Sequence, residues 1–383
     1  MRYVSSGESH GRALTAIITG VPAGVPVDSA AIDADLVRRQ SGYGRGGRMA
    51  IESDRALILS GVRFGRTIGS PVTLSVANRD WDNWTDVMAP QGPATSSARV
   101  TAPRPGHADL AGVQKIGSED CRDILERASA RETVARVAAG AVARALLREL
   151  GVTITSFVVS IGDVSMDMPA EPSEIDSGAV ESSEVRCPDP DASARMIAAI
   201  DKARTDGESL GGTFCVTTKG LVPGLGTYAE AAGRLDARLA AAVISIPAIK
   251  GVEIGDGFAA AGRPGSQVHD EIAFNEARGF YRRTNHAGGL EGGMTNGEPV
   301  WLRAAMKPIP TLMRPLASID LDTHEPVDAS RERSDVCAVP AAAVVAEAEV
   351  AMVLADAYLQ KFGSDCVDDI SAALAAYKAR IGR

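Results

Sequence analysis

Aromatic side chains are scarce, at 4% of the 383 residues. That poverty argues against a base-stacking nucleic-acid platform and against the aromatic belts of a membrane protein. Cysteine is scarce too. The five copies, Cys121, Cys187, Cys215, Cys337 and Cys366, are odd in number and far apart, with no CxxC pair. A disulfide framework and a zinc site are therefore disfavoured, and reduced thiols of a cytoplasmic chain are expected. The chain has no Gly-Lys dipeptide, hence no Walker A loop, and no HExxH helix. Its five histidines are scattered, so no metal is expected. The most apolar long stretch, Leu239–Ile249, is too short to span a bilayer. Glu8 and His10 stand where a secretory apolar region would begin, so no signal peptide is expected. Positive charge is in deficit, with 40 Lys and Arg against 49 Asp and Glu. The net charge of -9 disfavours non-specific nucleic-acid binding, which needs a basic surface.

Apolar residues make up 45% of the chain, enough for a sizeable core in one large domain or two ordinary ones. No low-complexity linker divides it. The polar stretch from Met166 to Asp191 reads as a surface excursion. Helical spacing of apolar residues predicts helices over Glu126–Leu150, Val339–Phe362, Arg195–Thr205, Glu230–Val243 and Ala31–Arg39. The first is rich in small residues, which suits close packing against another helix. Alternation and β-branching predict strands at Ala13–Thr19, Ala56–Ser60, Val72–Ala77, Val152–Ile161, Thr213–Thr218 and Val300–Ala305. Strands and helices interleave without a strict βαβ period. The expected class is mixed α/β (α+β), with antiparallel sheets packed on helices.

Chemistry concentrates in the loops. Gly7-Glu8-Ser9-His10-Gly11 sets a hydroxyl and an imidazole side by side between glycines. It satisfies a GxSxG search, but a strand-like run follows where a nucleophile elbow needs a helix. Ser41-Gly42-Tyr43-Gly44-Arg45-Gly46-Gly47-Arg48 satisfies a GxGxxG search, but a helix precedes it where a dinucleotide fold needs a strand. What remains is a Gly-Arg loop in which Arg39, Arg45 and Arg48 can grip a carboxylate or phosphate. A solvated basic turn is the plain alternative. Arg104-Pro105-Gly106-His107-Ala108-Asp109 is a second Gly-His turn. In Glu126-Arg127-Ala128-Ser129-Ala130-Arg131-Glu132-Thr133, where the long helix begins or bends, Arg127, Ser129 and Arg131 suit an anion; a Ser129–Glu132 capping box is the plain alternative. Gly288–Gly297 is half glycine and suits phosphate or a flat ring, or simply a flexible lid. Lys307-Pro308-Ile309-Pro310-Thr311 and Arg333-Ser334-Asp335-Val336-Cys337 are two further loops, each also readable as a plain connection.

In this order, the segments resemble the chorismate synthase family, from Gly7 to the helix after Arg333. Three elements carry the resemblance. The Gly7–Gly11 loop leads through an apolar strand to Gly20-Val21-Pro22. Glu126-x-x-Ser129-Ala130-Arg131-Glu132-Thr133 leads into an Ala-rich helix through Gly140. Arg333–Cys337 leads into a helix carrying Ala346-Glu347. The resemblance implies a single domain over 1–383, a β-α-β sandwich with helices between two antiparallel sheets, and a homotetramer. It implies a carbon–oxygen lyase that uses reduced FMN to eliminate phosphate from 5-enolpyruvylshikimate 3-phosphate, giving chorismate for aromatic amino-acid synthesis.

The resemblance also implies roles. His10 matches the general acid toward departing phosphate, and His107 the group that protonates or stabilises reduced flavin. Asp335 matches an acid near flavin N5, and Ser9 and Ser129 orient the relay. Arg39, Arg45, Arg48 and Arg131 match basic positions for substrate, with Arg39 and Arg45 also placed for NADPH. FMN contacts carry over to Arg127, Ala128, Ser129, Pro247, Ala248, Gly297, Lys307, Pro308, Ile309, Pro310, Thr311 and Arg333. Pro247 lacks the backbone N–H that another residue would offer. No added domain is visible for flavin reduction, so an external reductase is expected. A flavin- or nucleotide-binding regulator without chemistry would not need both histidines and Asp335. An RNA-binding protein using Tyr43 and its arginines would need a basic face.

Overall fold

Alternating burial at Leu14, Ala16 and Ile18, continued at Val72, Leu74 and Val76, builds a sheet with one apolar face turned inward. A computed structural model describes residues 1–46, 53–93, 99–332 and 334–382. Its first sheet contains Arg2–Ser6 (β1), Ala13–Thr19 (β2), Ala56–Ser60 (β3) and Val72–Ala77 (β4), in the order β1-β2-β4-β3. All pairings are antiparallel, with Val4 opposite Ile17 and Ile17 opposite Thr73. The second sheet contains Thr153–Ile161 (β5), Val164–Ser165 (β6), Gly212–Lys219 (β7), Ile249–Ile254 (β8) and Trp301–Met306 (β9). Their order is β8-β9-β7-β5-β6, again antiparallel.

The helices that matter are Ser29–Gln40 (α1), Asp109–Ile116 (α2), Arg122–Ala128 (α3), Thr133–Glu149 (α4), Pro190–Asp206 (α5), Leu235–Ile244 (α6), Val339–Phe362 (α7) and Val367–Arg380 (α8). α4 packs on β1, β2 and β4, whereas α7 packs on β5 and β7, and the two helices pack on each other. Small residues make this contact close. A Cβ added to Gly140 would stand 2.3 Å from the Cβ of Ala348. Because it is covered all round, α7 is buried along nearly its whole length.

Four expectations need correction. The helix expected over Glu126–Leu150 breaks at Ser129, whose backbone is extended (φ -67°, ψ 146°), and resumes at Thr133. The Ser129 hydroxyl accepts from the Arg131 N–H, which fixes the break. Glu132 does not reach back to complete a capping box; its carboxylate takes Arg136 Nε at 2.8 Å instead. The helix expected from Glu230 begins at Leu235, after a 3₁₀ turn at Ala231–Gly233. The stretch 166–191 is not merely a surface excursion, since Val180, Val185 and Cys187 enter the core. Among the described residues no helix is long and apolar enough to cross a membrane.

A second, small apolar cluster of Val113, Cys121 and Leu125 ties α2 to α3 beneath Val100, Ile124 and Leu321. It fixes the two segments that carry His107 and Glu126.

Candidate active site

Loops from both halves of the chain enclose a cavity of about 620 Å³, within the range of small-molecule sites. Its lining includes Ser9, His10, Arg39, Arg45, His107, Arg127, Ala128, Ser129, Arg131, Pro247, Ala248, Lys307, Ile309, Pro310, Thr311 and Asp335. Thus most of the expected residues converge. Two do not: Pro308 and Gly297 are absent from the lining. Pro308 is exposed, and Gly297 follows Thr295 and Asn296, which line a separate open groove. Arg48 and Arg333 lie outside the described residues.

His10 is held from three sides. Its Nδ1 stands 2.9 Å from Glu126 Oε1, and its backbone N–H donates to Glu126 Oε2 at 2.8 Å. Trp84 stacks on the ring with centroids 3.8 Å apart. Arg122 donates to Glu126 Oε1 at 3.0 Å and lies over the Trp84 ring. Burial by itself would raise the Glu126 pKa, but the hydrogen bonds from His10 outweigh it, with help from Arg122, and the net direction is down. The carboxylate therefore stays charged, and Nδ1 is the nitrogen that carries the proton toward it. Proton exchange with a ligand falls to Nε2.

His107 has a similar arrangement. The backbone N–H of His107 donates to the Arg104 carbonyl at 3.2 Å, and Gly106 sits at φ +77°, as a Pro-Gly turn requires. The turn brings His107 Nδ1 to 2.5 Å from Asp109 Oδ1. Arg104 clamps the same carboxylate, with Nε 2.8 Å from Oδ2, and reaches Thr311 Oγ1 with NH1 at 3.1 Å.

The basic end is built around Asp54. Arg131 donates to both its oxygens, at 2.7 and 2.9 Å, and Arg39 approaches it at 3.4 Å. Burial lowers the Arg39 pKa to about 9; Asp54 opposes this, while the charges of Arg131 and Arg45 add to it. Arg39 remains charged at neutral pH, crowded by cations that a bound anion would relieve. Asp335 links this end to the start of α7. Its Oδ2 stands 2.9 Å from Arg45 NH1, and its Oδ1 accepts from the Gly46 N–H at 2.7 Å. Gly46 has no room for a side chain, since a Cβ there would lie 2.7 Å from the Ser334 carbonyl.

Arg127 lines the cavity and also ties the opening loop in place. It donates to the Gly7 carbonyl and to the Ser5 carbonyl and hydroxyl, at 2.8–3.1 Å, and so anchors the opening loop. Lys307 donates to the Gly106 carbonyl, tying its loop to the His107 turn. Ala248 adopts φ +68°, an uncommon conformation for a residue with a side chain, at the cavity wall beside Pro247.

Among the described lining residues, six arginines and Lys307 face four carboxylates, so the cavity is locally basic in an acidic chain. Ala108, Leu125, Met306 and Ile309 supply an apolar wall. A flat ring system ending in phosphate fits such a lining. No group of His, Cys, Asp and Glu among the described residues is arranged to hold a metal ion.

Sequence reasoning passed over Trp84, Asp80 and the supporting roles of Glu126, Arg104 and Asp109. Trp84 donates to Asp80 at 3.2 Å. Asp109 stands two positions from His107 in the same motif, but Glu126 has no histidine near it in sequence, and nothing in the sequence pointed to Trp84.

The family model for chorismate synthase matches residues 1–359. A chorismate synthase of Moorella thermoacetica is 59% identical, over 99% of this chain and 98% of its own length. One from Symbiobacterium thermophilum is 55% identical over the whole of both chains. A crystal structure of chorismate synthase covers all of this chain and 98% of its own, at 43% identity and a TM-score of 0.81. With its basic cavity and paired histidines, the chain belongs to the chorismate synthase family, lyases whose chemistry is the FMN-dependent elimination of phosphate to give chorismate.

Proposed function

We propose that His10, His107 and Asp335 carry the proton transfers of this elimination, and that the observation behind the reading is their convergence on one basic cavity. The substrate, 5-enolpyruvylshikimate 3-phosphate, carries a phosphate and two carboxylates. Arg39 and Arg45 attract it, Arg131 holds the Asp54 corner in shape, and Arg48 belongs to this set through the family pattern alone. In the reaction a carbon–oxygen bond to phosphate breaks and a carbon-bound proton leaves. His10, as an imidazolium, donates its Nε2 proton to the departing phosphate. Glu126 stabilises that charge at Nδ1, and the Trp84 face stabilises it further. Asp335 accepts the substrate proton, and its contacts with Arg45 and Gly46 keep it aimed. Ser9 and Ser129 orient groups at the cavity edge.

Reduced FMN, when bound, supplies the transient electron transfer that makes the elimination feasible. Arg127, Ala128, Ser129, Pro247, Ala248, Lys307, Ile309, Pro310 and Thr311 would hold it; Pro308, Gly297 and Arg333 belong to this set through the family pattern alone. His107 stands at the Lys307–Thr311 side and serves the cofactor. NADPH is the ultimate reductant, delivered through a separate flavin reductase.

We read 1–383 as one domain, because a continuous core runs through both sheets and the helices. The packing of α4 and α7 supports the sandwich arrangement. The homotetramer is carried by family likeness. A cytoplasmic location is supported by cysteines that are all unpaired, four of them buried.

The test is phosphate release under anaerobic conditions with reduced FMN, with and without NADPH. Single His10→Ala and His107→Ala variants should each slow turnover by about 10²-fold or more while keeping the fold. Folded, FMN-binding protein that released no phosphate would sink the reading. Full rate in both variants would remove the roles given to the histidines.

A further inference from the structure

We propose that Asp109, clamped by Arg104, is a positioning residue for His107: it fixes the proton of the neutral imidazole on Nδ1 and leaves Nε2 as the nitrogen that exchanges protons in the cavity. The proposal rests on the reading that His107 serves the reaction.

Three observations carry it. Asp109 is fully buried, yet each of its oxygens accepts hydrogen bonds. Oδ2 takes Arg104 Nε at 2.8 Å and the Arg104 backbone N–H at 3.1 Å; Oδ1 takes Arg104 NH2 at 3.2 Å. His107 Nδ1 approaches Oδ1 at 2.5 Å. A buried carboxylate with these partners is locked in place, and a ring docked on it is locked too.

The tautomer follows from the donors. His107 Nδ1 lies 3.0 Å from Arg104 NH2 as well as 2.5 Å from the carboxylate. An Nδ1 lone pair facing the carboxylate would be repelled at that distance. Burial would raise the Asp109 pKa, but the hydrogen bonds from His107 and Arg104 outweigh it and hold the carboxyl well below the usual range. The oxygen therefore has no proton to give, so Nδ1 must donate. Arg104 NH2 has Oδ1 as its acceptor. Nε2 can then donate only from the imidazolium.

The charged and titratable groups around the ring are few. Arg104 and Asp109 come from its own segment. Lys307, on the facing loop, donates to the Gly106 carbonyl. The buried Cys121 thiol at the start of α3 has its pKa raised to about 11, by burial and then by the Asp109 charge, so it stays neutral. Glu332 lines the same cavity. Arg104 also holds Thr311, so the clamp couples the histidine turn to the Lys307–Thr311 loop.

The experiment uses the full chain labelled with ¹⁵N-histidine, with His107→Gln to assign the resonances. In the unaltered protein, the neutral His107 ring should carry its proton on Nδ1. In Asp109→Asn the neutral His107 ring should no longer be held wholly in the Nδ1-protonated form, and turnover should fall by about 10²-fold or more, with the thermal melt still cooperative. A neutral ring protonated on Nε2 in the unaltered protein overturns the proposal, and that measurement stands even if the variant fails to fold. A neutral ring still wholly protonated on Nδ1 in folded Asp109→Asn overturns it as well. Full turnover in His107→Ala would instead remove the catalytic reading of His107, whatever the resonances show.

Discussion

Glu347 offers the sharpest test of how the core is held. It lies at the centre of α7 with no exposure to solvent. Oε2 takes Arg38 NH1 at 2.8 Å and Arg144 NH1 at 3.1 Å. Oε1 takes Arg38 NH2 at 2.8 Å, the Ser156 N–H at 2.9 Å and the Ser156 hydroxyl at 2.7 Å. Burial would raise its pKa, but Arg144 and then Arg38 outweigh burial and bring it down to about 2. The unfolded value is about 4.3. A depressed folded value means the stabilisation is fully present above pH 4.3 and is lost as pH falls toward 2. Its size is about 3 kcal/mol at neutral pH, at roughly 1.4 kcal/mol per unit. Glu347→Gln keeps the shape and removes the charge, as protonation does. Urea unfolding should therefore show the variant less stable by about 3 kcal/mol at pH 7 and by less than half of that at pH 3. A gap that is the same at both pH values, or below about 1 kcal/mol at pH 7, would refute the electrostatic account.

Two further expectations concern packing and chemistry. Gly140→Ala places a methyl 2.3 Å from Ala348 Cβ, so overpacking of about 1–3 kcal/mol should exceed the helix-propensity gain of about 1 kcal/mol, and the urea midpoint should fall. Asp335→Asn should lower kcat by about 10²-fold or more while FMN affinity, read by fluorescence titration, stays close to that of the unaltered protein; loss of both together would show that Asp335 is structural.

Several elements were legible because a single period dominated them. Ala13–Thr19, Ala56–Ser60, Val72–Ala77 and Val339–Phe362 have the bounds their patterns predict. The break at Ser129 was not legible, because apolar spacing runs on past it and only a hydroxyl-to-backbone bond marks the interruption. The strand Ile249–Ile254 was missed, since Lys250, Gly251 and Glu253 obscure any alternation. The site divides in the same way. His10, His107 and Asp335 stood in Gly-rich or polar loops that advertise themselves. Trp84 gave no sign, because its stacking on His10 joins segments that only the fold brings together. Glu126 supports a histidine 116 positions away, a pairing no local motif encodes.

Arg38 and Arg39 show how stability and chemistry meet in adjacent residues. Successive helical positions point about 100° apart. Arg38 therefore faces inward to Glu347, while Arg39 faces Thr133, Asp54 and the cavity. With Arg38 NH1 and NH2 each bound to a Glu347 oxygen, α1 cannot rotate about its axis without breaking a buried ion pair. The same constraint sets the direction of Arg39 at the basic end of the site. The Ala346-Glu347 pair, met in the sequence as part of the family resemblance, thus acts at a distance on the cavity: a carboxylate buried in the core fixes where the Arg39 cation stands in its lining.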